Sequence, residues 1–440
     1  MFQEEYRRKR TTADEEAARV RSGDTLYLAG GPLLATDYAA ALHRRAKELR
    51  QVRVLHYLPL EPVALLTDPA CRDSFQVQSV FYNKIQQISD QLGICSFIPN
   101  HLRNVARDWT HAVPEYDCMV LTVSPMDKHG YFSLAGCACL EQALIPRARR
   151  LVLEVASHAP RVFGDVTIHI SQADAILESD RYPAALLSKE PDQVDRQLGK
   201  VVADLVRDGD TIQLGFGSTI NALAAELTHK QHLGIHTESL SDAAMDLILS
   251  GVVDNTRKTL HPFQTVTCFS MGSHALYDFV DDNPSILHKA LCYTNDLNVI
   301  AANRAMVSIN AALQIDLSGQ CASESVGTRQ ISGSGGQVDT AVGAQMAPDG
   351  KSIITLRSTY TVKNKETGEE QLQSRILPLL PQGAAVTLTR TNTHYVATEY
   401  GAVCLRGLTV TERAKALISI AHPQFRPWLE EEFQRLYQTH

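Results

Sequence analysis

The sequence predicts an α/β fold made of two related open halves, each with a mostly parallel sheet, and an active site in the cleft between them. Three observations carry this. Short apolar runs alternate with stretches of helical period, as where residues 26–29 are followed by Tyr38, Leu42, Ala46 and Leu49. Strands separated by helices pair in parallel through crossovers. A five-residue turn also recurs: Arg21-Ser22-Gly23-Asp24-Thr25 returns as Arg207-Asp208-Gly209-Asp210-Thr211, at an offset of 186. Both copies continue into a strand, a glycine turn, an Ala-rich helix and a second strand.

In chain order, residues 1–20 read as a charged helix, amphipathic at best. The first copy follows: strand 26–29, a break at Gly30-Gly31-Pro32, a helix from about Asp37 and a strand over 52–58. Between 60 and 117 the pattern is mixed. Residues 118–123 and 151–155 are mostly apolar runs, as expected of buried strands. Pro183 and Pro191 stand among charged residues and mark the boundary between domains 1–187 and 188–440.

The second copy opens with a strand over 211–216 that breaks at Gly215-Phe216-Gly217. Ile220, Leu223, Ala224 and Leu227 then repeat at i, i+3, i+4 and i+7 along a helix. A strand over 233–237 ends at Glu238. His236 is matched to His56 after a small gap, and the first copy carries Tyr57-Leu58 where the second has Thr237-Glu238. Farther on, residues 299–302 read as a strand, and 343–357 as a hairpin turning at Asp349-Gly350. Residues 363–373 are a polar surface loop, and 385–389 and 394–398 are strands. From Thr411 comes an amphipathic helix with a Pro-interrupted helical tail.

A chain of 440 residues can bury a core in each of two domains. Its 44% apolar and 21% charged content is that of an ordinary globular enzyme. A net charge of -7 with scattered Lys and Arg speaks against nucleic-acid binding. Nine dispersed Cys suit a reducing cytoplasm, and the pair Cys137 and Cys139 lacks the partners of a zinc site, so no metal is expected. The charged start MFQEEYRRKR lacks a signal peptide's apolar core, and no run approaches the ~20 apolar residues of a membrane span. A cytoplasmic protein is expected.

Two glycine turns and one carboxylate are the candidates for chemistry. Gly215-Phe216-Gly217 leads into a helix whose first turn holds Ser218 and Thr219; free N–H groups there can hold a phosphate or an oxyanion. The turn lacks the third glycine of a dinucleotide fingerprint. Gly333-Ser334-Gly335-Gly336 lets backbone approach a ligand closely. Glu238 follows a buried strand at the sheet edge where ligands bind in open α/β folds. A Ser239, His236 and Asp242 triad lacks the G-x-S-x-G elbow.

The segment Leu233-Gly234-Ile235-His236-Thr237-Glu238, with Ser241-Asp242 and Gly251-Val252-Val253, resembles the catalytic segment of class I CoA-transferases. The branch is that of acetyl-CoA hydrolases and of 4-hydroxybutyrate and butyryl-CoA:acetate CoA-transferases. Ser124-Pro125-Met126-Asp127-Lys128-His129-Gly130-Tyr131, Val307-Ser308-Ile309-Asn310, Gly327-Thr328-Arg329, Thr398-Glu399-Tyr400-Gly401 and Ile420-Ala421-His422-Pro423 match in order as well.

The resemblance implies that Glu238 is a covalent nucleophile and that the N–H groups of Phe216 and Gly336 are oxyanion donors. It implies that Asn295 and Glu399 line the acyl or carboxylate pocket. Gly215, Phe216, Gly217, Ser218, Thr219, Gly333, Gly335 and Gly336 would border CoA. The partners implied are an acyl-CoA and a short-chain carboxylic acid, with no tightly bound cofactor, in a homodimer or higher homo-oligomer. An acyl-CoA hydrolase and an inactive CoA-binding module are the alternatives.

Departures from the family pattern bear on substrate. Arg357 stands in Leu356-Arg357-Ser358-Thr359 where relatives commonly have Pro, and Gln330, Ser334, Val403 and Cys404 also differ. An added guanidinium can take a second carboxylate. That leads to a dicarboxylic acid such as itaconate, with succinyl-CoA as donor, and to a similarity with bacterial itaconate CoA-transferases. The alternative is that Arg357 is a surface residue on a strand edge.

Overall fold

The computed structural model describes residues 2–363 and 368–437. The chain forms two compact units. The first comprises Met1–Leu187, Glu238–Asp242 and Gln264–Thr294; the second comprises Ser188–Thr237, Ala243–Phe263 and Asn295–His440. Glu238, expected within the C-terminal domain 188–440, is thus grouped with the first unit.

The first unit is built on seven parallel strands: β1 (Thr25–Leu28), β2 (Val52–His56), β3 (Phe75–Ser79), β4 (Cys95–Phe97), β5 (Cys118–Val123), β6 (Leu151–Ala156) and β7 (Ala175–Ser179). Their order is β7-β6-β5-β1-β2-β3-β4. The chain adds β2 to β4 on one side of β1, then returns to its other side. A topological switch point therefore lies between β1 and β5, where an open α/β sheet binds ligands. All six residues of β5 and all six of β6 are buried, as helices on both faces require. Helix α1 (Thr36–Arg44) buries Tyr38 and Leu42 in the core with Leu26, Val54 and Val120.

The second unit has β8 (Thr211–Gln213), β9 (Gly234–Ile235), β10 (Met306–Ala311), β11 (Lys351–Thr355), β12 (Tyr395–Thr398) and β13 (Gly401–Cys404), in the order β9-β8-β10-β11-β12-β13. All pairs are parallel except β12 with β13. Its switch point lies between β8 and β10. The helices that matter below are α2 (Gln193–Ala203), α3 (Ser218–Glu226), α4 (Gln337–Met346) and α5 (Val410–Ser419).

The sequence repeat is a structural repeat. The Arg21 N–H donates to Asp24 Oδ2 at 2.8 Å and the Arg207 N–H to Asp210 Oδ2 at 2.9 Å. Gly23 and Gly209 both take positive φ, 86° and 79°, which the tight turn requires. The register corrects one pairing. Leu26 lies opposite Val54 and Ile212 opposite Ile235, so Ile235 corresponds to Val54, Thr237 to His56 and Glu238 to Tyr57. His56 and His236 are not equivalents. The side chains agree: His56 Nδ1 contacts the Leu28 carbonyl at 3.0 Å, and Thr237 Oγ1 donates to the Leu214 carbonyl at 3.0 Å.

Four sequence expectations change. Residues 299–302 are no strand, because Leu297–Ala301 is a helix whose first amides are capped by Asp296. Residues 343–357 are no hairpin but the end of α4, a turn with Asp349 at φ 58°, and β11. The polar stretch 363–373 belongs to an antiparallel hairpin of Thr359–Lys363 and Glu370–Ser374, apart from 364–367, which lie outside the described residues. Residues 385–389 make only an isolated bridge, Leu388 with Cys321. Among the described residues no helix is long and apolar enough to cross a membrane.

Candidate active site

In the second unit the C-terminal edge of the sheet gathers most of the predicted residues. Strand β8 runs into Leu214 and the glycine turn. Gly217 is the N-cap of α3 at φ 114° and ψ 176°, a conformation open only to glycine. Phe216 leaves its ring 37% exposed. The hydroxyls of Ser218 and Thr219 do not point to open space. Thr219 donates to Asp195 Oδ1 on α2 at 2.7 Å, and Ser218 also bonds to that carboxylate. What the α3 terminus offers a ligand is backbone.

Gly333-Ser334-Gly335-Gly336 lies at the same edge, where it starts α4. Gly335 has φ 55° and Gly336 is the N-cap. The Gly336 carbonyl accepts from the Thr340 amide at 2.8 Å and its hydroxyl at 3.0 Å. Asn310 Nδ2 contacts Thr340 Oγ1 at 3.0 Å, Ser308 Oγ at 2.8 Å and Gln213 Oε1 at 3.2 Å. Gln213 Oε1 also accepts the Ile309 N–H at 3.1 Å. A polar network thus joins β8, β10 and the start of α4, and fixes the two glycine turns relative to each other. The sequence reading missed Gln213 and Thr340. The signal was a lone amide in the otherwise apolar run 211–216.

Asn295 is fully buried, and its Nδ2 donates to Asp339 Oδ2 in the first turn of α4 at 3.4 Å. It therefore sits against the helix that the second glycine loop starts. Glu399 follows β12 and accepts the Ser358 N–H at 2.9 Å and the Ser358 hydroxyl. Arg357, next to Ser358, is engaged. Its Nη2 lies 2.8 Å from Asp192 Oδ2 and 2.7 Å from Asp195 Oδ2. Burial alone would raise the Asp195 carboxyl, but Thr219, Ser218 and Arg357 together hold it below the ordinary carboxylate value.

Glu238 belongs to the first unit and is half-buried. Its carbonyl accepts the N–H groups of Cys268 and Phe269, both at 3.0 Å. The next two residues, Ser239–Leu240, pair in parallel with Phe269–Ser270. Asp242 is not part of a triad: its carboxylate accepts the Ser273 amide at 3.0 Å and the Ser273 hydroxyl, closing a helix N-terminus. On the other side, the His236 amide donates to Ile212 O at 3.2 Å, and Thr237 is bonded to Leu214. The backbone is therefore hydrogen-bonded at Thr237 and at Glu238 itself.

The chain matches the acetyl-CoA hydrolase/transferase N-terminal domain over residues 1–188 and the C-terminal domain of the same name over 272–433. It is 39% identical to the succinyl-CoA:cyclohexane-1-carboxylate CoA transferase of Geobacter metallireducens, over 99% of this chain and 97% of that one. It is 35% identical to the 4-hydroxybutyrate coenzyme A transferase of Clostridium kluyveri, over 99% and 100%. The crystal structure of RipA from Yersinia pestis superposes with a TM-score of 0.91 at 33% identity, covering 99% of each chain.

Proposed function

The chain belongs to the acetyl-CoA hydrolase/transferase family and is an enzyme that transfers CoA between carboxylic acids, and we propose that it does so through a glutamyl-CoA thioester on Glu238. The observation that carries this reading is the rigid seating of Glu238. Its own carbonyl is bonded to two amides, its predecessor is bonded to Leu214, and the residue is half-buried.

The chemistry follows from these residue types. The Glu238 carboxylate attacks the acyl-CoA carbonyl, and the thiolate of CoA leaves, giving a mixed anhydride. The thiolate attacks the glutamyl carbonyl, releasing the first acid and leaving glutamyl-CoA. A second acid reverses the two steps. Each step passes through a tetrahedral oxyanion, so fixed backbone donors contribute most; the Phe216 and Gly336 amides are proposed for that role. Binding energy from the long CoA tail, bordered by the turns at Gly215 and Gly335, aligns and desolvates a weak nucleophile. Asn295 and Glu399 orient the acid. No metal or tightly bound cofactor enters the scheme. A homo-oligomer acting in the cytoplasm is part of the same proposal.

The acids proposed are short-chain. A dicarboxylic acid held by Arg357 would have to displace Asp192 or Asp195, so the engaged guanidinium gives that substrate class little support. The test is mass spectrometry of the protein incubated with acyl-CoA, with and without acceptor. An adduct on Glu238 that acceptor discharges supports transfer; discharge by water alone makes the chain a hydrolase, the other activity in the family's description. No adduct, with Glu238→Gln as active as wild type, sinks the mechanism.

A further inference from the structure

Helix α3 begins without a cap. Gly217, at the N-cap, has no side chain to accept its first amides, and among the described residues no other side chain caps them. Ser218 and Thr219 carry hydroxyls that could turn back on the backbone. Both are drawn instead to Asp195 in the first turn of α2. The two helices are also close farther along: a Cβ on Gly199 of α2 would lie 2.9 Å from the Ala222 carbonyl carbon and from the Leu223 nitrogen. α2 therefore sets where α3, and the glycine turn before it, can lie.

Asp195 is a buried anion. It is 1% exposed, and its Oδ1 accepts the Thr219 hydroxyl at 2.7 Å. Its Oδ2 accepts the Asp192 amide at 3.4 Å and lies 2.7 Å from Arg357 Nη2. Burial raises the carboxyl, but Thr219, Ser218 and Arg357 outweigh burial and keep it ionised. An ionised carboxylate draws two hydroxyl donors more strongly than a neutral amide would. It also brings a negative charge to the turn that presents the Phe216 amide, where solvent screens it poorly. Arg357 is the cation set against that charge. Its second partner, Asp192, is 55% exposed, so water already screens it.

We propose that Asp195 and Arg357 are a pair of positioning residues for CoA transfer: Asp195 holds the start of α3 through the Ser218 and Thr219 hydroxyls, and Arg357 cancels the charge that Asp195 would otherwise set against the oxyanion. The inference rests on the assignment of the Phe216 amide as an oxyanion donor in the reading above. Neither residue touches substrate. The oxyanion exists only in the transition state, so an uncancelled Asp195 slows the chemical step and leaves the binding of acyl-CoA almost unchanged. Arg357 has a further link. Its neighbour Ser358 donates its amide to Glu399 at 2.9 Å, and its hydroxyl to the same carboxylate. One short segment after β11 thus reaches both the start of α3 and a residue proposed to orient the acid.

The test measures CoA transfer from acetyl-CoA to butyrate, per folded protein, in wild type, Arg357→Ala and Arg357→Ala/Asp195→Asn. Arg357→Ala should lower kcat about tenfold, as one uncancelled charge does at an effective dielectric constant of about 20. KM for acetyl-CoA should stay within about twofold of wild type. Adding Asp195→Asn removes the charge and keeps a side-chain oxygen for Thr219, so kcat should return to within about threefold of wild type. A double variant as slow as Arg357→Ala overturns the proposal. So does an unchanged kcat in Arg357→Ala, or a rise in KM without a fall in kcat, which would give the pair a role in the fold alone. Should the double variant not fold, Arg357→Lys restores the charge without the guanidinium. A kcat within about threefold of wild type then supports the proposal, and one as low as that of Arg357→Ala overturns it. The glutamyl adduct is measured separately. If wild type forms none, the mechanism on Glu238 has failed, while kcat for CoA transfer still decides for or against the pair.

Discussion

Thr237 and Leu214 are joined twice. The Thr237 hydroxyl donates to the Leu214 carbonyl at 3.0 Å and accepts the Leu214 amide at 3.3 Å. Leu214 leads into the glycine turn, and Thr237 precedes Glu238. One side chain therefore ties the residue before Glu238, the proposed nucleophile, to the strand end that leads to the proposed oxyanion donor. Thr237→Val keeps the shape and leaves both Leu214 groups unsatisfied, at a cost of about 1–3 kcal/mol. The glutamyl adduct should form roughly tenfold or more slowly even where the protein is fully folded, as small misplacements cost rate. Thr237→Ser should restore most of it. A variant that loses stability but forms adduct at the wild-type rate would leave Thr237 a purely structural residue.

Thr340 makes the same kind of link for the second glycine loop, through the Gly336 carbonyl on one side and Asn310 on the other. Thr340→Ala should lower kcat by about tenfold to a hundredfold with little change in KM for CoA substrates, because the loop stays present but its amide loses its aim. Steady-state kinetics with the acyl-CoA varied reads this split. A rise in KM alone would make the loop a binding element.

Arg357 is the cation that a buried Asp195, 1% exposed, depends on. Arg357→Ala should destabilise the second unit by about 1–3 kcal/mol, less than for a fully buried pair because the guanidinium is partly exposed to solvent. KM should rise alike for butyrate and for dicarboxylates. Denaturant melts and a panel of acids check both; a selective loss of dicarboxylate turnover would restore the role the sequence suggests for Arg357.

What the sequence made legible is what local period and repetition encode. The alternation of strands and helices, the turn repeated at 21 and 207, and the glycine turns beside Glu238 all follow from residue types at fixed spacing. Register did not follow: His56 and His236 look alike, yet the strand register makes Thr237 the equivalent of His56, because a gap in a two-residue period cannot be placed from identity alone. The apolar run 299–302 suits a strand as well as a helix, since four residues carry no period, and the capping Asp296 decides for helix. Gln213, Asn310 and Thr340 are distant in sequence, and only the parallel order β8-β10 with α4 brings them together.

Glu154 should make the fold less stable as pH rises. Burial, then the neighbouring Asp37, raises its carboxyl from 4.5 to about 7. Between those values the folded chain holds a proton that the unfolded chain has released, so stability falls as pH climbs through the window, and the full penalty stands above pH 7. A shift of that size corresponds to about 3 kcal/mol at most. His56 and His288 act in the opposite sense. Burial lowers them from 6.5 to about 4 and about 3, so their contribution is lost as pH falls below 6.5. The wild-type curve mixes both trends, and Glu154→Gln removes only the first. Urea denaturation at pH 5, 6, 7 and 8 should show the variant gaining on wild type as pH rises, with any constant offset coming from the changed hydrogen bonds to α1. A difference that stays the same from pH 5 to pH 8 would mean that Glu154 is ionised in the folded protein throughout.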